Sequence, residues 1–117
     1  MNYVKINGIL YPAEIMGKMQ DRDWGNRESK AITLEMDYAT AIGLFVDGLA
    51  WSIVHQPDSY ENEKGETVVP DPIEYDNSDF YVAGAVTDNR NGTVTVKMGK
   101  KTDSEMLAEL KEVLGND

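Results

Sequence analysis

Few side chains in this chain have the type and spacing that chemistry requires. His55 is its only histidine, and a lone imidazole needs a nucleophile or carboxylate beside it to act as a general base. At the end of an alternating strand, just before Gln56-Pro57, it reads as structural. The segment Asp21-Arg22-Asp23-Trp24-Gly25-Asn26-Arg27-Glu28 partly resembles a calcium loop. An EF-hand needs oxygen ligands at positions 1, 3 and 5, glycine at 6 and glutamate at 12. Here glycine stands at position 5 and Ile32 at position 12, so the segment reads as a charged turn. Glycoside hydrolysis uses two carboxylates, but among 21 acidic residues a pair signals nothing without geometry. No Gly-rich phosphate loop, Ser elbow or HExxH motif is present. Zero cysteines exclude disulfides, thiolate catalysis and sulfur-ligated zinc. The residues nominate no catalytic group, no metal site and no cofactor.

Two other features suggest binding. From Asp58 to Asp79 run eight carboxylates (Asp58, Glu61, Glu63, Glu66, Asp71, Glu74, Asp76, Asp79) against one cation, Lys64. The rest of the chain carries 13 acids and 10 bases, so the picture is an acidic arm on a near-neutral body. Such an arm could engage calcium or a basic peptide; charge runs are otherwise solvated loops. Trp24, Tyr60 and Tyr75 sit in polar stretches, and Trp and Tyr are the usual anchors of protein interfaces. They are the candidate partner-interface residues, local packing against the body being the alternative for each.

The formal net charge of −10 argues against nucleic acid or an anionic membrane as partner, since both need a basic face. The longest apolar-rich stretch, Ala39 to Val54, is interrupted by Asp47 and Gly48 and is too short to span a bilayer. The first residues lack the pattern of a signal peptide, which makes the cytoplasm of the producing cell the expected compartment. At 117 residues, 41% hydrophobic and 27% charged, the chain reads as a single domain with one modest core.

The elements that must position these residues are mostly strands. Residues 3–16 read as a hairpin around Asn7-Gly8, a dipeptide suited to a type I′ turn, pairing Ile6 with Ile9 and Val4 with Tyr11. Pro12, which has no N–H to donate, favours an edge position. Residues 17–30 read as a polar connection and Ala31 to Met36 as a strand. Asp37 can cap a helix from Tyr38 to about Val46 with Tyr38, Ala41, Ile42, Phe45 and Val46 buried and Gly48 as its stop. Leu49, Trp51, Ile53 and His55 share a face of the next strand. An acidic loop at about 57–78 follows, with a short hairpin across Asn62-Glu63-Lys64-Gly65.

Asp79 to Gly99 is the clearest hairpin. Phe80, Val82 and Val86 fall on one face of its first strand, and Val94, Val96 and Met98 on one face of the second. The faces coincide only if the loop has an odd number of residues, either Asn89-Arg90-Asn91 or Asp88 to Gly92. The chain closes with a helix at about 103–114. It opens on Thr102-Asp103-Ser104-Glu105, which has capping-box spacing, and carries a stripe of Met106, Leu107, Leu110, Val113 and Leu114. So short a helix is marginal alone and is expected to dock on the sheet.

Several segments together resemble a group of small uncharacterised proteins from tail-gene regions of bacteriophages and prophages of gut bacteria. These are Lys5-Ile6-Asn7-Gly8 with Tyr11-Pro12-Ala13, Asp23-Trp24 with Asn26-Arg27-Glu28-Ser29-Lys30, and Phe45-Val46-Asp47-Gly48 with Trp51-Ser52-Ile53. The last runs from Glu74-Tyr75-Asp76-Asn77-Ser78-Asp79 through Val82-Ala83-Gly84 to Thr87-Asp88-Asn89-Arg90-Asn91-Gly92-Thr93-Val94-Thr95. The resemblance implies a non-enzymatic structural or adaptor protein, tail-associated or an assembly accessory. Its partners would be itself or phage tail components, and it could be virion-associated. No functional residues come with it. The expected fold is α+β: a hairpin-rich antiparallel sheet of about five or six strands, barrel- or sandwich-like, with a short internal helix and a C-terminal helix packed on it.

Overall fold

A computed structural model describes residues 1–115. The first hairpin forms as its alternation dictates. Strand β1 (Asn2–Ile6) pairs with β2 (Ile9–Asp21) in the expected register, Ile6 opposite Ile9 and Val4 opposite Tyr11. Asn7 and Gly8 both take positive φ, 51° and 80°, as a type I′ turn requires. Pro12 is not on an edge strand, because β2 lies between β1 and β3 (Arg27–Glu35). It faces Tyr3 one residue before the β2–β3 pairing begins at Ala13 opposite Leu34. Its missing N–H therefore costs the ladder nothing.

Residues 17–30 are not a loose connection. β2 continues through Asp21, and β3 begins at Arg27, so these residues form the outer half of one long hairpin. Met16 and Met19 are exposed there, so no apolar alternation marks the strands. A one-turn 3-10 helix, Arg22–Trp24, closes the hairpin, its start capped by the Asp21 carboxylate on the N–H of Asp23.

Helix α1 (Tyr38–Leu44) begins as expected, the Asp37 carboxylate accepting from Thr40 N–H at 2.7 Å. It is shorter than its apolar pattern suggested, and Ala41, Leu44 and Phe45 are the residues that reach the core. Tyr38, Ile42 and Val46 stay about half exposed. Gly48 follows in a turn at φ 84°. The remaining elements are β4 (Ser52–His55), β5 (Tyr60–Glu61), β6 (Thr67–Val68), β7 (Ile73–Asp76), β8 (Val82–Asp88), β9 (Thr93–Gly99) and α2 (Asp103–Leu114).

The main sheet has seven strands, one or two more than expected, in the order β7-β4-β1-β2-β3-β9-β8, and every neighbouring pair is antiparallel. The extra strand is β7. Only part of the stretch 57–78 is therefore loop, because Ile73–Asp76 pairs with β4. With the direction alternating across the order, edge strands β7 and β8 point the same way, and residues 77–81 carry the chain from one edge to the other. Three bonds hold that crossing. Trp51 Nε1–H donates to the Phe80 carbonyl at 2.9 Å, Gly48 N–H to Tyr81 at 2.8 Å, and Asn77 N–H to Trp51 at 2.9 Å. The sheet thus curls until the start of β4 meets the start of β8, a barrel-like corner.

Inside that curl lies the core. Val4, Ile6, Ile32, Leu34, Val94, Val96 and Met98 rise from the strands, and Ala41, Phe45, Trp51 and Phe80 cover them. Helix α1 lies against β8 and β9. In the β8–β9 hairpin the odd-loop rule holds but the frame moves by one residue. Asp88 pairs with Val94, and Asn89 N–H reaches the Thr93 carbonyl at 3.1 Å, leaving Arg90-Asn91-Gly92 as the loop. A bulge between Ala83 and Val86 inserts one residue into β8. It turns Ala83 rather than Val82 toward the core beside Val86.

Two pieces stand away from this body. β5 and β6 pair only with each other, as a small hairpin across the expected Asn62–Gly65 turn. Helix α2 spans the expected residues and has its capping box, but none of its residues is buried. It does not dock on the sheet, whose inner face is already filled by α1, Phe45, Trp51 and Phe80. The molecule accordingly measures 71 × 34 × 27 Å with a radius of gyration of 17.8 Å, against about 13 Å for a compact chain of this size.

Candidate interaction surfaces

The three aromatic candidates are not brought together. Trp24 is half buried on the β2–β3 turn, where its ring covers two glycines. A Cβ on Gly84 would lie 2.5 Å from Trp24 Cη2, and one on Gly99 2.8 Å from Trp24 Cζ3. The Arg27 guanidinium sits 4.6 Å from the centre of the ring. Trp24 is thus spent within the fold, covering the outer face of β8 and β9. The bulge in β8 and the absence of side chains at Gly84 and Gly99 make room for it. Tyr60 lies exposed on the β5–β6 arm, and Tyr75 lies exposed on edge strand β7.

Beneath Trp24 the fold has its one strongly buried carboxylate among the described residues. Asp21 is 1% exposed and accepts from Lys97 Nζ at 2.9 Å and Ser29 Oγ at 3.0 Å. The Lys97 bond leads the effects that hold its carboxyl below the ordinary range. Every oxygen has a donor, so the group is a fastener between β2, β3 and β9 rather than a free acid. His55 is similarly occupied, with Nδ1 2.7 Å from the Asn2 side-chain oxygen across the β1–β4 pair.

Cations gather at the root of α2. Lys30 and Lys100 approach the Phe80 ring at 4.6 and 4.9 Å, and Lys101 approaches Tyr81. Burial pushes the Lys30 ammonium below its usual range, while Lys101 is raised by its bond to Glu109. Each has an acceptor: Lys30 bonds Asn77, Lys100 pairs with Glu28 at 3.2 Å, and Lys101 pairs with Glu109. No buried side-chain nitrogen or oxygen among the described residues lacks a partner.

On the acidic arm, Asn62 organises the turn by accepting from the N–H groups of Lys64 and Glu66, both at 3.0 Å. Among the described residues no three His, Cys, Asp or Glu side chains are grouped to hold a metal ion. Asp76 is committed locally to Ser78, whose hydroxyl and N–H lower its pKa.

The surface that sequence reasoning misassigned is α2. Met106, Leu107, Leu110, Val113 and Leu114 are all about half exposed or more. The helix is held at its root alone. Thr102 and Glu105 cap it reciprocally, Arg27 grips Glu105 with both terminal guanidinium nitrogens, and Lys101 pairs with Glu109. The stripe itself was visible in the residues; nothing in them marked it as facing outward. Among the described residues no helix is long and apolar enough to cross a membrane. Compared with known proteins, the chain matches no family model, no curated protein and no solved structure.

Proposed function

We propose that this protein is a non-enzymatic structural adaptor, tail-associated or an assembly accessory in a bacteriophage, that works by holding other proteins. One observation carries the reading: the curled sheet presents α2 as a free-standing amphipathic helix with its apolar side chains in solvent. A 12-residue helix is marginal in water without a surface to pack on. A fold that keeps one exposed is built for attachment. The acidic β5–β6 arm is a second projection from the same scaffold. The resemblance to proteins of phage tail regions supplies the biological setting.

The test is native mass spectrometry of the protein, alone and co-expressed with the products of its neighbouring genes, which the reading expects to be tail and baseplate proteins. An oligomer or a stable complex with a tail component is expected. A strict monomer that binds no virion protein would overturn the proposal.

A further inference from the structure

We infer that two copies of this chain join along the open edge of β2 as a two-fold antiparallel seam centred on Met16, a deepening that rests on the adaptor reading above. Strand β2 lies between β1 and β3, but β1 pairs only with Ile9 to Pro12, whereas β3 pairs from Ala13 onward. Beyond Pro12, one side of β2 therefore has no neighbouring strand among the described residues. Met16 to Gln20 are all exposed there.

The first turn decides which main-chain groups lie on that side. A two-residue hairpin turn makes its flanking residues, Ile6 and Ile9, a hydrogen-bonded pair. Alternation then sends the N–H and C=O of Ile9, Tyr11, Ala13, Ile15 and Gly17 to the same side of β2. Past the end of β1, those of Ile15 and Gly17 point off the edge, a template for another strand.

The side chains select a second copy and one register. Glu14 and Lys18 share the outer face, opposite the uncharged Thr33 and Ser29 of β3. Neither forms an ion pair among the described residues. Four residues apart on a strand, they lie about 13 Å from each other and cannot pair within one chain. In a seam centred on Met16, Ile15 of each copy exchanges main-chain bonds with Gly17 of the other, and Glu14 of each faces Lys18 of the other. Met16, 69% exposed in the single chain, meets its own counterpart on the axis. A shift of two residues either way would set Glu14 against Gln20 or Met16, so this register alone matches both charges. The two-fold arrangement also closes on itself, each copy using the edge once. Edge strand β7 is a poorer seam, with four residues and a Glu74 already paired to Lys5.

The seam is short for a specific interface, so association is read by sedimentation equilibrium of the full chain up to about 1 mM, the weak end of binding. A reversible monomer–dimer equilibrium is expected. Glu14→Lys sets lysine against lysine at both ends of the seam and should weaken the dimer about tenfold, although it brings the net charge of −10 nearer zero. Adding Lys18→Glu should restore the wild-type constant. The chain has no cysteine, so Met16→Cys should be trapped by mild oxidation as a disulfide dimer, facing Cα atoms in such a pair lying about 4.5 Å apart. Lys18→Cys, whose counterpart is Glu14, should stay monomeric under the same oxidation. All these positions are exposed, and unchanged melting temperatures should confirm that the fold is kept.

A strict monomer, a Glu14→Lys variant that associates as well as wild type, or equal trapping of the two cysteine variants would overturn the inference. A tail complex formed by an otherwise monomeric protein does so too, and leaves the adaptor reading standing. A dimer with this register that binds no product of the neighbouring genes does the reverse.

Discussion

Arg27 and Glu105 meet through two parallel contacts, Nη1 to Oε1 at 2.8 Å and Nη2 to Oε2 at 3.2 Å. They join the first residue of β3 to the first turn of α2. The same guanidinium donates from Nε to the Trp24 carbonyl and from Nη1 to the Lys100 carbonyl, and it lies over the Trp24 ring. One side chain therefore holds both the cover of the outer sheet face and the root of the projecting helix.

The pair makes the attachment of α2 sensitive to acid. Arg27, followed by the Thr102 N–H, holds the Glu105 carboxyl at about 2, against about 4.3 in an unfolded chain. A depressed folded pKa means its stabilisation is complete above the unfolded value and is lost as pH falls from about 4.3 through about 2. Hydrogen exchange of the α2 amides should accelerate over that window relative to the sheet. Glu105→Gln should be loose at neutral pH and flat across the window; identical profiles for the two proteins would refute the linkage.

Adding a methyl group at Gly84 should be felt at Trp24. The new Cβ would fall within 2.9 Å of three ring atoms. Gly84→Ala should cost about 1–3 kcal/mol in urea unfolding, the usual toll of overpacking. In the Trp24→Ala background the same change should cost much less, giving a clear coupling in a double-mutant cycle.

The barrel-like corner depends on the indole of Trp51. Trp51→Phe keeps most of the apolar bulk but removes the donor to the Phe80 carbonyl, leaving a buried acceptor unpaired at about 1–3 kcal/mol. The loss should concentrate at the crossing from β7 to β8. Amide exchange at Asn77 and Gly48, whose N–H groups bond across that crossing, should accelerate more than exchange in the β1–β2 hairpin. A uniform acceleration would show that the bond is not local to the crossing.

Much of the architecture was legible because period-2 alternation, turn residues and caps all agreed locally. The Asn7-Gly8 turn, the Asp37 cap, the capping box of α2 and the odd loop of the last hairpin follow from such agreement. What misled was whatever depends on distant partners. The outer half of the β2–β3 hairpin has no apolar row, because Asp21, Ser29 and Lys97 bind it together instead. The Gly84 bulge shifts the inward face from Val82 to Ala83, and glycine alone does not say that a tryptophan will occupy the space above it. Of the three aromatic candidates, Trp24 is engaged inside the fold while Tyr60 and Tyr75 remain exposed. The apolar stripe of α2 was plain, but a stripe reads the same whether its partner is in the chain or outside it.

The acidic arm leaves the sheet after His55 and returns at Ile73, and those two residues are direct partners in the β4–β7 ladder. Its two ends are therefore already together, and the arm is an excursion grown from what could have been an ordinary hairpin turn. Cutting it back to a two-residue turn would shorten the loop about eightfold and lower the closure entropy by about 2 kcal/mol. Gln56 at its base exchanges bonds with Met1 and reaches the Pro70 carbonyl; the excursion beyond it pairs within its own hairpin. It is a graft point, where one inserted segment could be exchanged for another while the barrel-like corner, the Trp24 cover and α2 stay as they are.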